Sequence, residues 1–236
     1  MMAALTVITG LVYPAVITVV AQVFFNDRAN GSLVSVDGRV VGSRLVGQNF
    51  TRPEYFHPRP SNAGNGYDGS ASGGSNLGPT SAKLFNGTTK VDDKTKAEVV
   101  DFDGLKDRVV HYCLDNDIPF DSSRPLDAFR DAKGELDDVK LIRAFNDDKA
   151  PLVVTPRASL PADAVTGSAS GLDPDISPAN ADLQTSRVAK ARGVPVEQVK
   201  AIVAQHTAGR TLGILGEPHV NVLELNLALD ELFRRK

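Results

Sequence analysis

Hydrophobic and polar positions divide the chain sharply near its start. The run "MMAALTVITGLVYPAVITVVAQVFF", residues 1–25, has no charged side chain, and its polar interruptions are Thr6, Thr9, Thr18 and Gln22. As a helix it would extend roughly 37 Å, more than the ~30 Å hydrocarbon core of a bilayer. A soluble core helix needs a polar face, and this run offers almost none. Gly10 and Pro14 are tolerable in lipid, where kinks are satisfied locally. Phe24 and Phe25, followed by Asn26-Asp27-Arg28, mark an exit into water. The pattern predicts a transmembrane anchor over 1–25. A cleaved signal peptide competes with it, since Val19-x-Ala21 has the form of a small-residue cleavage site. Against that, no basic region precedes the run, and the run is longer than the usual apolar stretch of such a peptide.

Beyond the anchor the periods shorten. "SLVSVDGRVVGSRLVGQNF" predicts a β-hairpin turning at Asp37-Gly38, with Leu33, Val40, Val41 and Leu45 as its buried face. Pro53, Pro58 and Pro60 exclude regular structure after it. Within 86–165, residues 97–116 and 124–145 read as short helices, and "APLVV" at 150–154 reads as a strand. Ser177-Pro178 and Gly193 bound a helix over 178–192. Pro195 opens another, closed by Gly209, with Val196, Val199, Ile202 and Val203 on one face. "NVLELNLALDELF" could alternate as a strand, yet it also puts Val222, Leu225, Leu229, Leu232 and Phe233 on one helical side. Asn221 with Glu224 resembles a capping box, which favours helix. The expected fold class is α+β: a single N-terminal transmembrane helix, then a soluble α+β domain with a β-hairpin and C-terminal helices. That domain comprises 26–85 and 165–236, with 86–164 an acidic insertion within it.

Composition adds limits. The chain has 236 residues, 42% hydrophobic and 23% charged, which are ordinary values for a folded protein. A net charge of −3 steers nothing towards nucleic acid. Residues 91–150 hold 16 acidic against 10 basic side chains, a local charge of −6. Its Asp101-x-Asp103-Gly104 brings glycine too early for an EF-hand loop, and a solvated face is the simpler reading. Cys113 is alone, which excludes an internal disulfide and a cysteine-based metal site. Arg28, Arg39 and Arg44 follow the anchor and no basic residue precedes it, so charge counting alone points the following domain to the cytoplasm.

Several motifs tempt without carrying chemistry. Gly64-x-Gly66-x-x-Gly69 matches the dinucleotide fingerprint, but prolines precede it and more glycine follows. "GSASG" occurs at 69–73 and 167–171 with alanine where a nucleophile elbow needs serine. His57, His111, His206 and His219 have no zinc spacing, so no metal ligand and no catalytic residue is assigned. Residues 186–206 resemble a helix-turn-helix with Arg187, Lys190, Arg192 and Lys200, but the second helix has no arginine to read guanine, so no nucleic acid partner is expected.

Taken together, "TGLVYPAVITVVAQVFF", "DGRVVGSRLVGQNF", "YFHPRPSNAGNGYD", "SGGSNLGPTS", "SGLDPDISPANADLQTSRVAKARG" and "GRTLGILGEPHVNVLELNLALD" resemble one family, the C subunit of the Kdp-type potassium-transporting ATPase. The resemblance covers roughly 5–83 and 165–232 and says nothing about 86–164. It implies a non-catalytic subunit of a bacterial ATP-driven potassium importer. Such a subunit sits in the cell membrane as a single pass with its soluble domain extracytoplasmic. It also implies a role in stabilising the complex and raising the ATP affinity of the catalytic subunit. Its partners would be the potassium-translocating and ATP-hydrolysing subunits and the lipid bilayer. No cofactor is expected on the chain alone, ATP being at most shared with the catalytic subunit. The family's Q-x-x-R-V-A-K-A-R stretch implies a nucleotide-related residue at Gln184. Contacts with partner or membrane are expected at Gly10, Tyr13, Pro14, Tyr55 and Phe56. The Gly/Ser/Asn stretch 66–81 is expected to be a fixed loop anchored by the preceding rings, with a free linker as the other reading. The alternative function is an anchored or secreted extracytoplasmic module that binds a small ligand.

Overall fold

The computed structural model describes residues 1–233. Met2–Phe24 forms one helix of 23 residues with mean hydropathy 2.1, long and apolar enough to cross a membrane, and the rest of the chain buries none of it. Its three threonine hydroxyls fold back onto carbonyls four residues earlier: Thr6 to Met2 (3.0 Å), Thr9 to Leu5 (2.8 Å) and Thr18 to Pro14 (2.8 Å). Such internal satisfaction is what a lipid-facing surface requires. One wide π-turn occupies Ile8–Val12, just ahead of Pro14. Pro14 offers no N–H to the carbonyl four residues back and its ring crowds that carbonyl; widening the turn moves the carbonyl aside.

The hairpin forms as expected. Strands Leu33–Val36 and Arg39–Ser43 pair antiparallel, and Asp37 (φ 50) and Gly38 (φ 75) both take the left-handed conformation a tight two-residue turn needs. Its expected buried face is corrected: Leu33, Val40, Val41 and Leu45 are exposed. The ribbon meets the domain through Gly42, where an added Cβ would lie 2.8 Å from Leu223 Cδ2. Among the described residues no second layer covers these apolar side chains.

The main core lies under the C-terminal helices, as the mixed helix-and-sheet class predicts. Helix Pro178–Arg192 is capped by the Ser177 side chain and stopped by left-handed Gly193 (φ 68). Helix Val196–Gln205 ends four residues before Gly209, because Thr207–Ala208 leaves it to pair with His219–Asn221. That strand also pairs with Asp175–Ile176, making a three-stranded sheet. Helix Val222–Leu232 follows, its N-cap Asn221 accepting from Glu224 N. Glu224 does not return the bond of a full capping box; its carboxylate binds Arg44 at 2.5 Å. Ile176, Val188, Val199, Ile202, Val220, Leu225 and Leu229 pack around Phe56. Leu232, expected on this face, is exposed.

Residues 86–164 are better ordered than a solvated excursion. The first expected helix is half strand: Glu98–Phe102 pairs with Thr88–Val91, and the helix begins only at Leu105 and runs to Asp115. Of 124–145, only Asp138–Phe145 is α-helical, after a 3₁₀ turn at Leu126–Phe129 and a turn through Gly134 (φ 85). The expected strand starts where "APLVV" ends, since Leu152 turns into a core and pairing with Phe120–Ser122 begins at Val154. Val110, Phe129, Leu141, Ala144, Phe145 and Leu152 make this second core.

The glycine-rich stretch is fixed in its first half. Its "GSASG" copy lies against the other copy, with Gly73 N donating to Ser170 O (2.8 Å) and Ser72 Oγ to the same carbonyl (3.0 Å). Ser61 Oγ donates to Gly171 O (2.6 Å) and accepts from Tyr67 N (2.8 Å). Gly171 (φ 68) is the tightest point, where a Cβ would lie 2.7 Å from Ala63 N and from Gly73 O. Gly171→Ala should therefore destabilise the chain by about 2 kcal/mol or more. Gly78→Ala, with open space around it, should change the unfolding midpoint little; chemical denaturation of the detergent-solubilised chain compares the two.

Candidate functional site

Prolines keep residues 53–57 out of any sheet, so their backbone groups need partners elsewhere. Side chains from two helices supply them. Asn226 accepts from Phe56 N (2.8 Å) and donates to Phe56 O (3.0 Å). Gln184 does the same for the next residue, accepting from His57 N (2.7 Å) and donating to His57 O (3.0 Å). Arg187 Nη1 donates to Pro53 O (2.8 Å) and Tyr55 O (2.9 Å), and Arg192 Nε donates to Glu54 O (2.7 Å). Two side-chain amides and two guanidiniums thus hold a segment that turns at Pro53-Glu54, where Tyr55 N donates to Arg52 O (3.1 Å), and that pairs with no strand among the described residues.

The holding groups form a stripe along one face of helix Pro178–Arg192. Asp163 accepts from Ser177 and Asn180, and Asn180 Oδ1 accepts from Tyr112 OH (2.7 Å) and from Gln184 Nε2 (2.9 Å). Gln184 Oε1 accepts a second bond from Arg187 Nη2 (2.7 Å), and Arg187 Nε reaches Asn116 Oδ1 (3.0 Å). Asn180, Gln184 and Arg187 are all buried. Arg187 makes no ion pair among the described residues, so hydrogen bonds alone satisfy it, and burial pulls its pKa down from the ordinary value. Burial, and then the adjacent Arg187 charge, also lower the pKa of His57, whose Nε2 lies 3.3 Å from Arg187 Nη1.

The expected site residues fall in three places. Gly10, Tyr13 and Pro14 sit on the uncovered helix. Tyr55 is half-buried: its hydroxyl donates to Asp230 (2.9 Å), accepts from Arg52 (2.7 Å), and its ring lies beneath the Arg192 guanidinium at 5.2 Å. Together with Ser35, Val41, Glu54 and Asp230 it lines an open groove of about 770 Å³. Phe56 requires a correction. It was expected to touch partner or lipid, but its ring is fully buried in the main core because Asn226 turns its backbone inward. Gln184 has both acceptor positions and both amide protons engaged inside the chain, so it offers no polar atom to a nucleotide. The basic residues of the helical pair are likewise engaged: Lys190 with Asp117 and Lys200 with Asp182, while Arg187 and Arg192 point inward.

Sequence reasoning missed two sets. The clasp was hidden because its buried face is polar, which apolar periodicity cannot detect. The other is Asp107, His111 and Asp138, brought together where helix Leu105–Asp115 meets helix Asp138–Phe145. The Asp-x-x-x-His spacing on one helix was the available signal.

The family described as K+-transporting ATPase, c chain, matches residues 1–109 and 136–231. The chain is 44% identical over 232 residues to the potassium-transporting ATPase KdpC subunit of Mycobacterium tuberculosis (strain ATCC 25618 / H37Rv), covering 98% of this chain and 95% of that protein. The subunit of the same name from Gemmatimonas aurantiaca is 46% identical over 233 residues, covering 98% and 89%. That from Koribacter versatilis is 44% identical over 225 residues, covering 95% and 88%.

Gln184→Ala would strand His57 N–H, His57 C=O and one Arg187 nitrogen, each costing about 1–3 kcal/mol when buried. A loss of about 3 kcal/mol or more is expected in denaturant unfolding, while excess ATP should not move the wild-type midpoint. His57 gives a pH signature. Its folded pKa is depressed, so the unfolded chain takes up the proton first, and His57 stability is full above its ordinary pKa of about 6.5 and lost as pH falls below it. Unfolding midpoints at pH 7.5 and 5.0 should differ more in the wild type than in His57→Gln.

Proposed function

The chain belongs to the KdpC family, the c chains of K+-transporting ATPases, and from that premise we propose that it is a non-catalytic assembly subunit of a potassium-importing pump. The observation that carries the reading is the helix Met2–Phe24, none of whose apolar surface is covered by the chain itself. A subunit that docks against membrane neighbours needs such a surface; a free enzyme does not.

A second apolar surface supports the same reading. The turn 210–216 projects from the domain with Leu212 86% and Ile214 74% exposed, and Leu215 is exposed beside them. The turn is held in shape by Thr211 and Leu215, which exchange backbone bonds, and by Arg210 with Glu217 (2.5 Å). Side chains this apolar on an ordered turn suit contact with a protein partner. We read the partners as the potassium-translocating and ATP-hydrolysing subunits, and the location as the bacterial cell membrane with the soluble domain extracytoplasmic. The chain's contribution is to stabilise the complex. Its effect on ATP affinity, which the family likeness suggests, acts through the assembled pump, because Gln184 is fully engaged in holding residues 53–57.

The double variant Leu212→Asp/Ile214→Asp tests this. Mild-detergent purification of the wild-type chain from its native membrane should recover the larger subunits. The variant should keep its unfolding midpoint and lose them. ATP hydrolysis by the purified chain alone, or full co-purification of the variant, would contradict the reading.

A further inference from the structure

We propose that Asp107, His111 and Asp138 bind one divalent transition-metal ion that clips together the two helices of the insertion. Asp107 and His111 are one turn apart on helix Leu105–Asp115 and share its face. Asp138 stands at the first position of helix Asp138–Phe145. Their ligand atoms all lie within 4.8 Å of one another.

The second observation is the state of Asp107. It is only 4% exposed, and its Oδ1 is buried with no hydrogen-bond partner among the described residues. Buried carboxylate oxygens are nearly always met by a donor or a cation. The group that Asp107 Oδ1 faces is His111 Nε2, at 3.9 Å. That nitrogen sits 2.8 Å from Asp138 Oδ1 on the other side. Around a tetrahedral ion with bonds of about 2.0–2.2 Å, ligand atoms are about 3.3 Å apart. The short His111–Asp138 separation would open, and the long His111–Asp107 separation would close, each by about 0.5 Å.

Access and selectivity follow from the same residues. The side chains of His111 and Asp138 are about two-fifths exposed while Asp107 is buried, so an ion can enter from solvent without moving the core, and water can complete its shell. An imidazole with two carboxylates suits zinc, cobalt or manganese; magnesium and calcium prefer all-oxygen sites. Both helices contribute to the second core, so an ion joining them would steady that unit as a whole. Asp107 and Asp138 lie within the residues that the family match covers, and His111 lies in the stretch 110–135 between the two matched segments.

The full-length chain in detergent, stripped with chelator, is titrated with Zn2+, Co2+, Mg2+ and Ca2+ by calorimetry and thermal unfolding. Expected are one Zn2+ per chain, a raised melting temperature, a visible Co2+ absorption, and little response to Mg2+ or Ca2+. Asp107→Asn and His111→Gln should each weaken Zn2+ binding by about a hundredfold or more, since losing even an outer-shell partner costs 10–100-fold. His206→Gln, away from the cluster, should not. His111 is on the solvent side, so its variant should keep the metal-free melting temperature and report binding rather than folding. Absence of saturable one-to-one binding, binding that survives both substitutions, or an equal response to Mg2+ would overturn the proposal.

Discussion

A single buried guanidinium ties the soluble part of this molecule together. Arg187 contacts the carbonyls of Pro53 and Tyr55, the amide of Gln184 and the side chain of Asn116. Those partners lie on the proline-rich turn 53–55, on its own helix and at the end of helix Leu105–Asp115. A charge removed from water with no carboxylate in contact is unfavourable unless its donors find acceptors. The acceptors here come from three separate parts of the chain, so the cation is satisfied only when all three are assembled. The proline-rich segment adds the complementary need, because its carbonyls have no sheet to enter. Each side leaves polar groups that only the other can match.

The same rule, polar groups satisfied locally or not at all, governs the stem. Its hydroxyls bond to its own carbonyls, and at its end Gln22 bonds to Asn26 (3.0 Å) and Asn30 (3.1 Å). In the domain, polar satisfaction connects distant segments; in the stem it stays within a turn or two. That difference separates a segment suited to lipid from one that folds around a core.

Much of this was legible in the sequence. Ser177-Pro178 and Gly193 bounded their helix to the residue, Asp37-Gly38 turned the hairpin, and the capping residue Asn221 decided between strand and helix. Those signals are local and stereochemical, so they survive any tertiary context. What was not legible depended on partners far along the chain. Leu33 and Val40 looked buried because alternation names a face but not what covers it. Residues 98–102 looked helical because nothing in them announces their pairing with 88–91. Gln184 looked like a ligand-binding residue by family likeness; its burial against His57, 127 positions away, could not be read from spacing.

The wide turn at Ile8–Val12 alters what the stem presents to its surroundings. One surplus residue in a helical turn advances every later side chain by about 100° around the axis. Side chains before Ile8 and after Val12 therefore do not line up along a common stripe, although the axis continues between them. A neighbour lying along one side of the stem therefore meets residues in one helical register near Leu5 and in a register shifted by one residue near Ile17. The stem thus carries two residue registers joined at Gly10, where the absence of a side chain leaves the backbone open to close approach.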